Sequence, residues 1–419
     1  MDQATITLCL MLVIGILFIA EIIPLSVTAL GGAILFGVLG IVPLKNTFVG
    51  FSANIVVLMG SMMVIGSALL YTGLAKKIST KILGLIGKSE GNILMVSMVV
   101  TCLFSACCSN LGIIVAMMPI VISMAQESNV PVSRQMMPLA YAAVLGGNLS
   151  IVGAGNVTTA VGLMEPLGLQ TMGFFEIGLV GVPVAIANII YMRIFATKLL
   201  PDHKELEASN AGMDKDDHPF DATKSIICAA VFIGVVIVMV LNLKSFPMHI
   251  ASAIGALILI VTGCVSEKQA YKSISWMSLV VVAGSMTIAK AMEVSGAGKL
   301  AADTIFALLG TDVNAFLFVG VVFVVGLLLT QVMNNIPSVL LLTPICVPVA
   351  QQLGINGVAV VAAIIVATSS AYMTPVGAPT NMVVLEAGNY RFTDYLKFGS
   401  GMALISLIVG MTFISLIWL

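Results

Sequence analysis

Charged residues are scarce in this sequence, and their scarcity excludes most classes of soluble protein. Aspartate, glutamate, lysine and arginine make up 9% of the 419 residues, whereas hydrophobic residues make up 59%. An ordinary soluble protein is about 25% charged. Apolar runs of about 20 residues, long enough to cross the hydrocarbon core of a bilayer, recur along the chain. The composition therefore predicts an all-α polytopic membrane protein that contacts lipid.

Patterns of catalytic and metal-binding residues are also missing. The seven cysteines lie in apolar runs without zinc-type spacing, and the chain has no HExxH motif and no paired aspartates in an apolar run. Of the three histidines, His203 and His218 fall in a polar segment, where solvent exposure is the simpler interpretation. No basic patch is interleaved with aromatic residues. We therefore predict no enzyme activity, no organic cofactor and no nucleic-acid partner.

Apolar runs fall into two sets on either side of one polar segment. We predict a first repeat over residues 1–200, a linker over 201–223 and a second repeat over 224–419. The first apolar run lacks a preceding basic region, so we expect it to be retained rather than cleaved. The predicted spans, five in each repeat, are 5–21, 26–43, 52–74, 138–163, 174–198, 224–243, 248–266, 276–294, 357–385 and 396–418. Two further apolar stretches, 92–125 and 313–350, are interrupted by polar residues.

The two sets resemble each other at a fixed spacing of 225 residues. Shifting the sequence by that amount places Asn110 on Asn335 and Asn156 on Asn381. It also places Pro119 on Pro344, and several neighbours agree. Because the shift holds in two separate segments that polar residues interrupt, we interpret it as an internal duplication.

Lysine and arginine predict the orientation of the chain in the membrane. We assume that the two interrupted stretches are re-entrant hairpins, which enter and leave the membrane on the same side, and that the N-terminus lies outside. Fourteen basic residues then lie on the cytoplasmic side and three lie outside. Such a bias is typical of cytoplasmic loops. Both termini are then predicted outside the plasma (inner) membrane and the 201–223 linker in the cytoplasm. Because each repeat has five spans, the two repeats are predicted to be inverted relative to each other, as in many secondary transporters.

Four interruptions in the apolar runs concentrate asparagine, glycine and hydroxyl groups. They are residues 107–112, 146–156, 334–338 and 374–381, and none contains a charged residue. A bilayer tolerates irregular backbone only where it faces protein or a water-filled cavity. Carbonyl, amide and hydroxyl oxygens suit a desolvated Na⁺, and helix N-termini with free N–H groups suit an anion. The interruptions therefore predict an ion-binding site, although close helix packing also explains any single glycine or asparagine.

At these residues the sequence resembles the divalent anion/sodium symporter family of the ion-transporter superfamily. The family carries Ser-Asn-Thr at each hairpin tip and a Thr-Pro-Ile-Gly-Ser-Pro-Pro-Asn-like loop in each following broken helix. The segment TPVGAPTN at 374–381 is similar to that loop, and YRFTDYLKFG at 390–399 to the segment before the last helix. Ser109 and Asn110 match two motif positions, but Leu111 and Ile336 replace both threonines of the family.

The resemblance implies two sodium sites, an anion site between them and a homodimer with an elevator motion. The substrate-binding set that it implies is Asn110, Asn335, Thr374, Pro375 and Ser338. The Na⁺-binding set that it implies is Ser109, Asn110, Gly153, Asn156, Asn334, Asn335, Thr374, Gly377 and Asn381. The predicted function is sodium-coupled symport of a dicarboxylate or sulfate. The Asn-Asn-x-Pro form also resembles the arsenite-efflux branch, so arsenite or oxyanion efflux and Na⁺/H⁺ antiport remain alternatives.

One pair of charges lies inside a predicted span. Lys290 and Glu293 are three residues apart, near the outer end of the 276–294 span. An ionisable residue in a span is a candidate functional group. At a helix end, however, such a pair also snorkels to the interface. Both interpretations stay open, with a proton-linked step as the functional one.

Overall fold

The fold is described from a computed structural model of the chain. It describes residues 2–20, 22–84, 89–202, 221–241, 246–300 and 314–419. Most of the predicted linker, with His203 and His218, lies outside these residues, as do Lys88 and Lys244. The described residues form α-helices, short 3-10 helices and connecting loops, without a strand. The prediction of an all-α protein is thereby confirmed.

Nine α-helices make up the described part of the first half. They are α1 (Gln3–Ala20), α2 (Leu25–Val38), α3 (Asn54–Tyr71), α4 (Leu74–Gly84), α5 (Glu90–Ser105), α6 (Asn110–Glu127), α7 (Ser133–Gly147), α8 (Gly155–Gly162) and α9 (Gly178–Leu199). Three 3-10 helices lie at Leu44–Asn46, Val49–Ser52 and Glu165–Leu167.

The described part of the second half follows the same order. It contains α10 (Ala222–Leu241), α11 (Met248–Val261), α12 (Glu267–Ser273), α13 (Trp276–Val294), α14 (Ala315–Val332), α15 (Asn335–Gln352), α16 (Gly357–Ser369), α17 (Pro379–Ala387) and α18 (Phe392–Trp418). Adding 225 to the bounds of α6 gives 335 and 352, which are the bounds of α15. The shift found in the sequence thus relates helices as well as residues.

Helix lengths explain where the predicted spans agree with the structure and where they differ. Seven described helices are long and apolar enough to cross a membrane, and five more apolar helices are shorter. The predicted span 26–43 is too long, because α2 ends at Val38 and a turn with Gly40 at φ +70° follows. The predicted spans 138–163 and 357–385 are each two helices separated by a loop. Each pair of helices, with the loop between them, corresponds to a broken helix of the kind that the resemblance implies.

Two short polar helices have no counterpart in the predicted spans. Helix α4 carries Lys77 and Lys81 directly after α3. Helix α12 begins with a capping box in which the Ser266 hydroxyl accepts from the backbone N–H of Gln269. Both are too short and too polar to cross a bilayer. They were missed because the search for apolar runs does not detect amphipathic helices of one to three turns.

The helices form two groups that we name the crossed bundle and the site bundle. The crossed bundle comprises α1, α2, α3, α10, α11 and α13. In it, helices of the first half pack on helices of the second half, since α2 packs on α13 and α3 packs on α11. The site bundle comprises α5 to α9 and α14 to α18. Its core is α7 and α16, which are buried along most of their length. Every loop at a predicted interruption joins helices of the site bundle.

Candidate functional site

The loop between α5 and α6, residues 106–109, is the first tip. Helices α5 and α6 pack against each other, so this loop joins a helical hairpin. Asn110 is the first residue of α6, and its Oδ1 accepts a hydrogen bond of 2.7 Å from the Ser105 hydroxyl. Ser109 is the exposed N-cap residue and caps no backbone N–H with its side chain. Free N–H groups therefore remain at the start of α6.

The loop between α7 and α8, residues 148–154, is the first break, and it lies against the first tip. The Ser150 hydroxyl donates to Ala106 O at 2.5 Å. A Cβ atom on Gly147 would lie 3.0 Å from both amide atoms of Asn110. A Cβ atom on Gly153 would lie 2.7 Å from Gly147 O. Glycine at both positions lets the backbone of the break approach the asparagine of the tip.

Residues 333–334 join α14 to α15 and form the second tip. Asn335 is the first residue of α15, and the Asn334 side chain accepts from its backbone N–H at 2.8 Å. The Ser338 hydroxyl is fully buried and donates to Asn334 O at 3.1 Å. Asn334 and Ser338 thus complete the first turn of their own helix, as N-cap residues and helical serines commonly do.

The Asn335 amide lies in a cage of three oxygen atoms. One of the two terminal positions of the amide group, which nitrogen or oxygen could occupy, lies 2.9 Å from Gly377 O, 3.0 Å from Thr368 O and 2.8 Å from the Thr330 hydroxyl. The Thr330 hydroxyl donates to Thr368 O at 2.7 Å. Two carbonyl oxygens and a hydroxyl whose hydrogen is already used can only accept from the amide. We therefore assign Nδ2 to this position, which makes Asn335 a donor to the cage.

The loop between α16 and α17, residues 370–378, is the second break. The Thr374 hydroxyl donates to Gln331 O at 2.7 Å and accepts from the Gly377 N–H at 3.1 Å. Asn381 is fully buried, and its Nδ2 donates to Ala371 O at 2.7 Å and Thr374 O at 3.0 Å. Pro375 lies half-buried in the same loop. Each break is thus bonded by one hydroxyl, Ser150 or Thr374, to the hairpin of its own half.

Hydrogen bonds between the halves join the two breaks. Asn156, buried at the start of α8, donates through Nδ2 to Ser369 Oγ at 2.7 Å and to Thr368 Oγ1 at 3.2 Å. The Ser369 hydroxyl in turn donates to Asn148 Oδ1 at 2.6 Å. A Cβ atom on Gly155 would lie 3.1 Å from the Ile336 side chain, and α6 packs on α17. The predicted interruptions therefore meet in one region at the ends of α7 and α16.

Uncharged groups provide all of the site's chemistry. Segments 105–112, 146–156, 330–338 and 368–381 contain no lysine, arginine, aspartate or glutamate. Within the described residues there is no cluster of three histidine, cysteine or acidic side chains. The N-termini of α6, α8, α15 and α17 present backbone N–H groups, which suit an anion. Carbonyl, amide and hydroxyl oxygens beside them are the ligands that a hard cation prefers.

Several residues of the site were missed from the sequence. They are Ser105, Thr330, Gln331, Thr368, Ser369 and Tyr141, and each makes a hydrogen bond at a tip or a break. Ser105 and Thr330 could have been found from the sequence, because the 225-residue shift places these two hydroxyl residues on each other. Tyr141 and Ser369 have no polar counterpart at that shift and no local signal.

Two helical halves, each with a hairpin and a broken helix whose ends meet in an uncharged site, define a membrane transporter. The chain belongs to the citrate transporter family (CitMHS), whose model matches residues 15–367 and 286–419. The family and the relatives below are transporters, as the resemblance to the divalent anion/sodium symporters predicted.

Individual relatives agree with this assignment over the whole chain. An uncharacterized transporter of Haemophilus influenzae is 26% identical over 437 residues, which cover 100% of this chain and 92% of that protein. The sodium-dependent dicarboxylate transporter SdcS of Staphylococcus saprophyticus is 22% identical and covers 97% of this chain and 85% of its own. Among solved structures, the Alcanivorax borkumensis YdaH transporter has a TM-score of 0.67 at 15% identity, covering 99% of this chain and 98% of that one. The fold is therefore shared with a transporter of unusual topology.

Proposed function

We propose that the protein is a secondary active transporter that imports a small divalent anion, a dicarboxylate or sulfate, together with Na⁺. The observation that carries the proposal is a site built from helix N-termini and oxygen ligands without a fixed positive charge. Transfer of an unpaired ion from water costs several kcal/mol or more. An anion in this site therefore needs co-bound cations, which is the physical basis of coupled symport. The sodium-dependent dicarboxylate transporter among the relatives supports this coupling.

The proposed roles follow the positions of the side chains. Asn110 and Asn335 begin α6 and α15, and Thr374 and Pro375 lie in the loop before α17, so we place the anion among these four residues. Ser338 supports them indirectly, because its hydroxyl is bonded to Asn334 O. The proposed Na⁺ ligands are side-chain and backbone oxygens of Ser109, Asn110, Gly153, Asn156, Asn334, Asn335, Thr374, Gly377 and Asn381.

Alternating access follows from the division into two bundles. We propose that the protein is a homodimer in which the site bundle moves as an elevator against the crossed bundle. Helix α8 packs on α3 and α13, and α15 packs on α1 and α13. The equivalent helix α17 packs mainly on α7 and α6 of the site bundle, and it exposes Met382 and Glu386. We propose that in this conformation the site is reached from the α17 side.

Transport by purified protein in proteoliposomes tests the proposal. The probes are labelled succinate, citrate, sulfate and arsenite, each measured with and without an inward Na⁺ gradient. We expect Na⁺-dependent uptake of succinate, citrate or sulfate. Arsenite movement alone favours efflux of the kind that the Asn-Asn-x-Pro segment resembles. Cation exchange driven by a pH gradient, without an organic anion, favours the antiport alternative.

The half-exposed Lys290 and Glu293 side chains form an ion pair of 2.6 Å near the end of α13. This geometry agrees with a pair at the membrane interface, where such contacts contribute little to stability. A double Lys290→Gln and Glu293→Gln variant that transports normally assigns the pair to the interface. A loss of pH dependence in that variant instead supports the proton-linked role.

Membrane orientation can be tested independently of transport. A cysteine introduced at Ser209, in the linker, is expected to react with a membrane-impermeant maleimide only after the cells are permeabilised. A cysteine at Lys45, which the charge bias places outside, is expected to react in intact cells. The wild-type chain with its seven cysteines gives the background. The opposite pattern of labelling contradicts the predicted orientation.

A further inference from the structure

A cleft of about 260 Å³ lies between α2 and α13 in the crossed bundle, away from the tips and breaks. The backbones of the two helices touch near their middles, because a Cβ atom on Gly284 would lie 2.9 Å from the Ala29 backbone. Farther along both helices, Ile288 lies against Gly32, so α2 and α13 run side by side in the same direction. The cleft lies before these contacts, in the first turns of both helices.

The lining of this α2–α13 cleft is apolar except for one hydroxyl group. The lining residues are Ser26, Val27, Leu30, Trp276, Met277 and Val280. Val27, Trp276 and Met277 each expose about half of their surface. The half-buried Ser26 hydroxyl makes no hydrogen bond with the described part of the chain. A lining of this kind suits a hydrocarbon chain that ends in a polar group.

Helix α12 places aromatic rings and positive charges beside the cleft. Tyr271 of α12 stacks on Trp276, a lining residue, with 6.5 Å between the ring centroids. Ala270 is buried, whereas Lys268 and Lys272, four residues apart on the opposite face of α12, are exposed. Neither lysine forms an ion pair with any residue that the structure describes. Two positive charges near the cleft are therefore available to an external anion.

The charge bias of the sequence predicts that this end of α2 and α13 faces the cytoplasm. Tryptophan and tyrosine concentrate where the hydrocarbon of a membrane meets its headgroups. The cytoplasmic leaflet carries anionic lipids, and basic pockets between membrane helices on that side bind anionic headgroups. Glu267, the acidic residue of α12, lies in the first turn, where a carboxylate suits the positive end of the helix. Charge, aromatic rings and apolar lining thus match the successive parts of one lipid molecule.

We propose that the α2–α13 cleft binds an anionic phospholipid. One acyl chain lies between α2 and α13, and the phosphate lies beside Lys268 and Lys272. The Ser26 hydroxyl is the polar group available to the ester oxygens of the glycerol. This site is independent of the ion and the anion that the protein transports. Because α8 and α15 of the site bundle pack on α13, the lipid binds the part of the crossed bundle against which the site bundle rests.

Fluorescence quenching tests the proposal, because the chain has only two tryptophans, Trp276 and Trp418. Full-length Trp418→Phe protein is reconstituted in vesicles of equal parts phosphatidylglycerol and phosphatidylcholine, with brominated acyl chains on one lipid or on the other. The surface charge is the same in both samples, so only the identity of the quenching lipid differs. We expect Trp276 to report an association with phosphatidylglycerol at least about threefold stronger than with phosphatidylcholine. Equal quenching by the two lipids overturns the proposal, and so does the absence of quenching by either, which indicates that a second copy of the chain covers the cleft.

Matched variants assign the headgroup to the lysines of α12. In the Trp418→Phe chain, the double change Lys268→Gln and Lys272→Gln is expected to lower the preference to less than about 1.5-fold. Lys45→Gln, on the side that the charge bias places outside, is expected to leave the preference unchanged. Trp276→Phe protein reports from Trp418, at the far end of α18, where we expect no preference. A preference that survives the loss of both lysines overturns the assignment of the headgroup.

Filling the cleft tests the position of the acyl chain while both lysines remain. Val280→Phe in the Trp418→Phe chain is expected to lower the preference for phosphatidylglycerol at least about twofold, because the larger side chain occupies the space of the lipid chain. Val27→Phe, at a half-exposed position of the same cleft, provides the same test if Val280→Phe does not elute as a single species on size exclusion. An unchanged preference in a folded variant contradicts the placement of the acyl chain between α2 and α13.

Discussion

Uptake stops when a disulfide joins α1 to α15 and returns when the disulfide is reduced. This result is expected for the Gly15→Cys and Leu341→Cys double variant. A Cβ atom on Gly15 would lie 2.7 Å from Leu341 Cδ1, so the two positions are in contact in this conformation. Replacing leucine with cysteine makes room for the new side chain. Because the contact joins the crossed bundle to the site bundle, a covalent bond there prevents their relative movement.

The 225-residue shift supplies a matched control for this cross-link. It maps Gly15 and Leu341 onto Val240 and Ala116, which lie on α10 and α6. These helices form no comparable contact in the described residues. A cysteine pair at Ala116 and Val240 is therefore expected to cross-link only in the opposite conformation, during turnover. Uptake that continues at more than about a tenth of its rate with the Gly15–Leu341 disulfide formed contradicts the proposed motion.

Asn381→Asp is expected to lower the free energy of unfolding far more than the equivalent change Asn156→Asp. The Asn381 amide nitrogen faces two carbonyl oxygens, which repel a carboxylate oxygen placed there, and the Thr380 hydroxyl donates only weakly, at 3.5 Å, to Oδ1. The Asn156 amide faces the hydroxyls of Ser369 and Thr368, which can turn and donate to a carboxylate. A buried charge without a partner costs about 3–5 kcal/mol.

Thermal unfolding of the two aspartate variants in detergent measures this difference. Asn381→Ala serves as the control for the lost hydrogen bonds, which contribute about 1 kcal/mol each. We expect the unfolding midpoints to fall in the order wild type, Asn156→Asp, Asn381→Ala and Asn381→Asp. Equal midpoints for the two aspartate variants would show that the hydroxyls of Ser369 and Thr368 do not stabilise a carboxylate at position 156.

The helix ends of the site were predictable because the membrane makes polar interruptions conspicuous. Asn110 and Asn335 are the only pair of asparagines at the 225-residue spacing that also begins two matching helices, α6 and α15. Unpaired backbone is costly in hydrocarbon, so adjacent polar residues in an apolar run indicate a functional break. The pattern at 374–381 added the broken helix of the second half. Fold class and the location of the interruptions therefore followed from local sequence.

Hydrogen-bond partners were not predictable, because they depend on packing between distant segments. Asn156 was predicted as a sodium ligand, and the hydrogen bond from its amide nitrogen to Ser369, 213 residues away, gave no signal in the sequence. Asn334 and Ser338 were predicted as site residues, but the hydrogen bonds with which they complete the first turn of α15 were not predicted. The short helices α4 and α12 were missed because their burial is set by neighbours rather than by an apolar run of their own.

The bonds between Asn156, Asn148 and Ser369 also set an order of events during synthesis. The first half leaves the ribosome with both amides lacking their partners, and Ser369 is added 213 residues after Asn156. At about 5–20 residues per second, that interval lasts roughly ten to forty seconds. During it the nascent first half sits in the membrane with polar groups exposed to lipid or to the translocation machinery. Separate expression of residues 1–200 should therefore yield a short-lived chain that co-expression of residues 201–419 protects from proteolysis.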